Sequence, residues 1–65
     1  MQITINGEQR SCDHQTVQQL LHSLEIDPRR VAVELNQDIL PKADYDTTTL
    51  ADGDRIEIVH FVGGG

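Results

Sequence analysis

The side chains able to do chemistry are few in this sequence, and the strongest candidate for a reacting group belongs to the backbone. The 65 residues end in Gly63-Gly64-Gly65. Three glycines can neither pack nor hold one conformation, but without Cβ atoms they can thread a narrow channel and carry a terminal carboxylate to a catalytic centre. From Phe61, the stretch Val62 to Gly65 extends about 13–14 Å, at roughly 3.3–3.6 Å per residue. A carboxylate with a pKa of about 3.5 is ionised near neutral pH and is a poor electrophile. It donates its acyl group only after a partner has activated it. A glycine run is also what an unstructured end looks like, so the tail alone does not decide between the two.

The remaining candidates are weaker. Cys12, the one cysteine, has no basic cluster nearby in sequence to favour the thiolate, and it reads as a small core residue. An iron–sulfur cluster needs about four cysteines. His14, His22 and His60 lack metal-ligand spacing. Asp52 and Asp54 flank Gly53 without the further ligands and closing Glu of a calcium loop, so they read as turn formers. We therefore expect no bound metal, no bound cofactor and no catalytic side chain.

Composition narrows the partners. Eleven acidic against five basic side chains give a net charge of −6, which argues against nucleic acid and anionic membranes. Acidity of this kind keeps a domain soluble and can also steer it toward a basic surface. No apolar run approaches the roughly 18 residues of a membrane span. A single cysteine cannot form an internal disulfide and points to a reducing, cytoplasmic setting. A chain this small buries only about 60% of its unfolded surface and has little to spare for a deep pocket. It suits a monomeric carrier or co-substrate better than an enzyme.

The elements that would position the tail follow from periodicity. Met1, Ile3 and Ile5 alternate with polar residues as in a half-buried strand. Asn6-Gly7 is a hairpin signal, and Glu8 to Cys12 returns as a polar second strand. Thr16 and Gln19 form a capping box ahead of an apolar helical stripe, Val17, Leu20, Leu21 and Leu24. Asp27-Pro28 is the expected end of that helix. Arg30 to Leu35 is a third strand, with Val31, Val33 and Leu35 inward. A turn at Asn36-Gln37-Asp38 leads to a short strand at Ile39-Leu40, stopped by Pro41. Lys42 to Thr49 is a polar connection crossed by Tyr45, Leu50 to Asp54 a turn with Gly53 at positive φ, and Arg55 to Phe61 the last strand. The order predicts an α+β fold, one helix packed on a mixed sheet of four to five strands. Residues 1–61 would form the domain and 62–65 the tail.

In the last strand, Ile56 and Ile58 share one face while Glu57, Val59 and Phe61 share the other. With the helix over Ile56 and Ile58, Val59 and Phe61 face solvent just ahead of the tail. Three readings are open: the strand end twists or bulges and tucks Phe61 inside; the two are ordinary scattered exposed apolar residues; or Val59, Phe61 and Val62, with Glu34 and Glu57 on the same surface, form a partner-docking face.

Several motifs in this order resemble the ThiS family of ubiquitin-like β-grasp proteins. They are Met1-Gln2-Ile3, Gln15-Thr16-Val17 with Leu20-Leu21, Ala32-Val33-Glu34-Leu35-Asn36 and Ile39-Leu40-Pro41. The turn Leu50-Ala51-Asp52-Gly53-Asp54 with Ile56-Glu57-Ile58, and the terminal Gly64-Gly65, complete the set. The resemblance implies a sulfur carrier of thiamine biosynthesis. An E1-like adenylyltransferase, ThiF, would adenylate the Gly65 carboxylate with ATP. Sulfur from a persulfide donor protein would displace AMP, and thiazole synthase, ThiG, would accept the sulfur from the resulting thiocarboxylate. Gly65 then carries sulfur, while Gly63 and Gly64 permit threading; relatives often have another small residue at the position of Gly63. The small subunit of molybdopterin synthase shares this fold and chemistry but commonly has prolines before the diglycine, absent from Val59-His60-Phe61-Val62. Other sulfur carriers, lysine-conjugated ubiquitin-like modifiers and a plain β-grasp binding domain are the further alternatives.

Overall fold

A computed structural model describes residues 1–61 of the chain; Val62, Gly63, Gly64 and Gly65 lie outside the described residues. Strand β1 (Gln2–Ile5) and strand β2 (Glu8–Ser11) form the expected hairpin, with Ile5 opposite Glu8. Asn6 and Gly7 both take positive φ, 49° and 85°, the type I′ geometry whose twist matches that of paired strands. Strand β2 is exposed throughout, a short polar edge of the kind that discourages pairing with another chain. Cys12 lies just past it, half-buried against the core, its N–H donating to the Met1 carbonyl at 2.9 Å.

Helix α1 (Val17–Ser23) begins at the expected capping box. The Gln19 N–H donates to Thr16 Oγ1 at 3.1 Å, and the Thr16 N–H donates to Gln19 Oε1 at 2.9 Å. The two remaining free donors of the first turn are met by the loop after β4. The Val17 N–H donates to the Thr48 carbonyl and the Gln18 N–H to that of Tyr45. Every amide that a helix start leaves without an intrahelical partner is thereby satisfied.

The helix ends earlier than the sequence predicts. Its last residue is Ser23, and Glu25 takes φ 60°. The Glu25 N–H donates to the His22 carbonyl and the Ile26 N–H to the Leu21 carbonyl, the paired bonds of a Schellman stop. Asp27-Pro28 does not end the helix but opens a 3-10 turn, Pro28–Arg30, capped by the Asp27 side chain. That turn takes up Arg30, so strand β3 (Val31–Leu35) begins one residue later than expected.

Strand β4 (Asp38–Leu40) returns through Asn36 and Gln37, both at positive φ. A second 3-10 turn, Lys42–Asp44, delivers Tyr45 into the core. Burial pushes its phenol above the ordinary tyrosine pKa, opposed by a backbone hydrogen bond at Val33. Leu50, which the sequence places only in a turn, is buried in the same core. Asp52 and Asp54 act as turn formers. Asp52 Oδ1 accepts from the Gln2 N–H at 2.7 Å and Asp54 Oδ2 from the Ala51 N–H at 2.8 Å, around Gly53 at φ 87°.

Strand β5 (Arg55–His60) completes a five-stranded sheet of order β2-β1-β5-β3-β4. It lies in the middle, parallel to β1 and antiparallel to β3. Ile3, Ile5, Val31, Val33, Ile56 and Ile58 pack with Val17, Leu20 and Leu21 of α1 in one core. This is the predicted α+β arrangement.

Candidate docking face and tail root

Strand β5 runs in unbroken register with β3, from Leu35↔Ile56 to Val31↔His60, and the Phe61 N–H adds a bond to the Arg30 carbonyl at 2.9 Å. A bulge is therefore absent, and the tucked arrangement of Phe61 is ruled out. Ile56 and Ile58 face the helix; Val59 and Phe61 point away from it, 57% and 59% exposed. On the other side of β5, a side chain prolongs the pairing with β1. Asn6 Oδ1 accepts from the Ile58 N–H at 2.7 Å and Asn6 Nδ2 donates to the Ile58 carbonyl at 3.2 Å. The strand that leads into the tail is thus held on both edges.

Cross-strand register sorts the outer face into rows. Glu34 stands opposite Glu57 and, across its other edge, opposite Ile39. Ala32 stands opposite Val59. Last comes Phe61 beside Arg30, with Lys42 Nζ 5.0 Å from the Phe61 ring centroid. Such a cation–π contact contributes about 0.5–1 kcal/mol at an exposed site. Glu34 and Glu57 do share this surface, as expected from the sequence. Directly opposed like charges disfavour the pairing, so the sheet tolerates this arrangement only where water screens it.

The sequence reading missed two parts of this face. Ile39, 78% exposed, is its most open large apolar side chain. The two-residue turn at Asn36-Gln37 would have placed it opposite the outward Glu34. The second is basic. Lys42 Nζ donates to the Arg29 carbonyl at 2.8 Å, and Asp27 pairs with Arg29 at 2.9 Å and Arg30 at 3.6 Å. The hydrogen bond from the Arg29 side chain, reinforced by its backbone N–H, holds the Asp27 carboxyl down at about 2. Of the residues expected to act, Val59, Phe61, Glu34 and Glu57 share one face, while Val62, Gly63, Gly64 and Gly65 fall outside the described residues. Among the described residues, no group of three or more His, Cys, Asp or Glu side chains is placed to hold a metal ion. No helix among them is long and apolar enough to cross a membrane.

Comparison with known proteins gives this geometry a context. The ThiS family model matches residues 3–65. The sulfur carrier protein ThiS of Bacillus subtilis is 49% identical over 53 residues, which cover 82% of this chain and 80% of that protein. A thiazole synthase of Paramagnetospirillum magneticum is 48% identical over the whole chain, yet the chain spans only 20% of that protein's length; the same 20% holds for a thiazole synthase of Magnetococcus marinus. A crystal structure of the thiamine biosynthesis protein ThiS from Geobacter metallireducens superimposes with a TM-score of 0.86 at 38% identity, covering both chains completely. The helix on a five-stranded mixed sheet is thus the ubiquitin-like β-grasp.

Proposed function

Because the chain belongs to the ThiS family, we propose that it is a sulfur carrier for thiazole formation in thiamine biosynthesis, a co-substrate whose Gly65 carboxylate is the working group. The observation that carries this reading is the place of β5. It is the central strand, paired on both edges, and it presents Val59 and Phe61 outward immediately before the tail. A partner that grips this face fixes the root of the tail. Gly63 and Gly64 then let the carboxylate reach a centre up to about 13–14 Å beyond Phe61.

The chemistry follows from what a carboxylate lacks. Attack of its oxygen on the α-phosphorus of ATP, held by an E1-like ThiF, releases pyrophosphate and leaves an acyl-adenylate. AMP is now a leaving group, and the terminal sulfur of a persulfide donor protein displaces it at the acyl carbon. Breaking the sulfur–sulfur bond with a thiol leaves the thiocarboxylate, which passes its sulfur to thiazole synthase, ThiG. Val59, Phe61 and Val62 supply the apolar contact and Glu34 and Glu57 a polar rim, the usual division of an interface. The chain itself contributes reach and docking only.

The test is a mass spectrum of the C-terminal peptide from protein made under sulfur-replete, pathway-active conditions, with the thiocarboxylate trapped by an alkylating reagent. Localisation to that peptide is required, because oxidation of Met1 or Cys12 gives nominally the same mass change. We expect alkylated thiocarboxylate at Gly65, and its loss when Gly65 is deleted or one residue is appended. Only carboxylate in the native chain, or sulfur transfer undiminished in both tail variants, refutes the proposal.

A further inference from the structure

Resting on that reading of the tail, we infer that Arg29, Arg30 and Lys42 form a cationic collar at its root that docks on an acidic protein surface around the mouth of the partner's tail-accepting channel. The chain has only five basic side chains against eleven acidic ones. Three of the five gather here from two separate segments. The backbone and side-chain contacts hold them around Phe61. The Phe61 N–H bonds the Arg30 carbonyl, Lys42 Nζ bonds the Arg29 carbonyl, and the Lys42 ammonium lies over the Phe61 ring. Among the described residues, Asp27 is the carboxylate ion-paired with the collar, and it is shared by both arginines. It orders the guanidiniums without neutralising the three charges, and their side chains stay 86% and 75% exposed.

Distance decides what anion the collar meets. Threaded fully extended through a narrow channel, the tail puts the activated carboxylate about 13–14 Å from Phe61, beyond the roughly 8 Å over which exposed charges are felt at physiological salt. The collar is therefore too far away to act on the nucleotide phosphates at the reacting end, and it meets whatever lines the channel entrance. A nucleic acid, charged along its whole length, would meet the chain's overall charge of −6 as well as the collar, whereas a protein surface can confine its acidic side chains to the rim. An acidic protein rim attracts the collar, and the Glu34–Glu57 row, two cross-strand rows down the sheet, docks outside that rim. A carrier approaching such a rim is turned tail first. The gain lies in encounter rate and orientation, where complementary charge acts most strongly.

Two measurements test this. In the first, a hexaglutamate peptide is titrated into the isotope-labelled chain at low salt. Amide shifts confined to residues 27, 29, 30, 42 and 61 and abolished by high salt are expected; shifts absent or spread over the sheet overturn the collar. In the second, pyrophosphate release by the adenylating partner is followed with an Arg30→Gln/Lys42→Gln double variant whose melting is checked by circular dichroism. We expect KM to rise about tenfold with kcat held, and the salt dependence of KM to flatten. An unchanged KM, with the native chain adenylated normally, overturns the collar and leaves the carrier reading standing. Failure of the native chain to be adenylated sinks the carrier reading instead, and the peptide titration still judges the collar.

Discussion

Replacing Asn6 separates the two ways in which β5 is tied to its neighbours. Strand β3 pairs with β5 as far as His60, but the β1 ladder contains only Thr4↔Arg55 and Ile5↔Ile56. Beyond it, the Asn6 amide takes the place of a further peptide group by bonding both the N–H and the carbonyl of Ile58. Asn6 holds φ 49°, so Asn6→Gly keeps the backbone conformation and deletes only the side-chain bonds. The Ile58 N–H, in a residue 7% exposed, is left without its partner, which costs about 1–3 kcal/mol. At about 4–8 °C per kcal/mol for a domain this small, the melting temperature should fall by roughly 4–24 °C. Asn6→Ala adds about 1–2 kcal/mol for a Cβ at positive φ and should be the less stable of the two. Asn6→Asp is the sharper probe. Its second oxygen replaces the Nδ2 donor facing the Ile58 carbonyl, so the folded form favours the protonated acid and its carboxyl pKa is raised. The stability gained from protonation is then full below the unfolded value near 3.9 and lost as pH rises through the folded one. Urea titrations followed by far-UV circular dichroism give the free energies, and hydrogen exchange at the Ile58 amide localises the change. Asn6→Gly within about 0.5 kcal/mol of the native chain, with Ile58 still protected, would show that the side chain does not hold the strand.

Other expectations follow from single features. Glu25→Gly should stabilise the domain by about 0.5–1 kcal/mol in urea titrations, because Glu25 sits at φ 60° in a helix-stop position that suits glycine. The Asp27 carboxyl should titrate near pH 2 by NMR. Since that is below its unfolded value, the stability it contributes is present above about pH 4 and lost as pH falls through 2; Asp27→Asn should remove that acid limb. Phe61→Asp should leave melting within a few degrees of native, as a residue 59% exposed predicts, while raising the KM for the proposed adenylating partner. Unfolding of that variant would place Phe61 in the core after all.

Much of the fold was legible because local and tertiary preferences agree. The Thr16–Gln19 box, the Asn6-Gly7 turn and the alternation of Ile56, Glu57, Ile58 and Val59 each carry their own physical signature, and the structure repeats them. The end of α1 was not legible. Glutamate is no stop signal, and Glu25 adopts positive φ because Leu21 and His22 offer their carbonyls to the following amides. The visible stop, Pro28, belongs to the next turn. Leu50 and Tyr45 were obscured for another reason. Their burial comes from a loop that must also cap the helix start, a tertiary demand that no periodicity records.

The candidate site divides the same way. Val59 and Phe61 could be placed by the period of one strand, since a single alternation fixes which side each occupies once Ile56 and Ile58 are inside. Whether the strand end bulged was a question about its partners. Register with β3 and the Asn6 staple on the opposite edge answer it. The collar could not be read at all, because Arg29-Arg30 and Lys42 are ordinary surface residues until the 3-10 turns before β3 and after β4 bring them to the same end of the sheet. These features share one mechanical consequence. The strand that presents the apolar face is central, held by Asn6 at Ile58 on one edge and by β3 and Arg30 through Phe61 on the other, and the cations stand where it ends. In the proposed carrier role, a partner that grips that face would therefore hold the root of the tail through strand hydrogen bonds rather than through a loop.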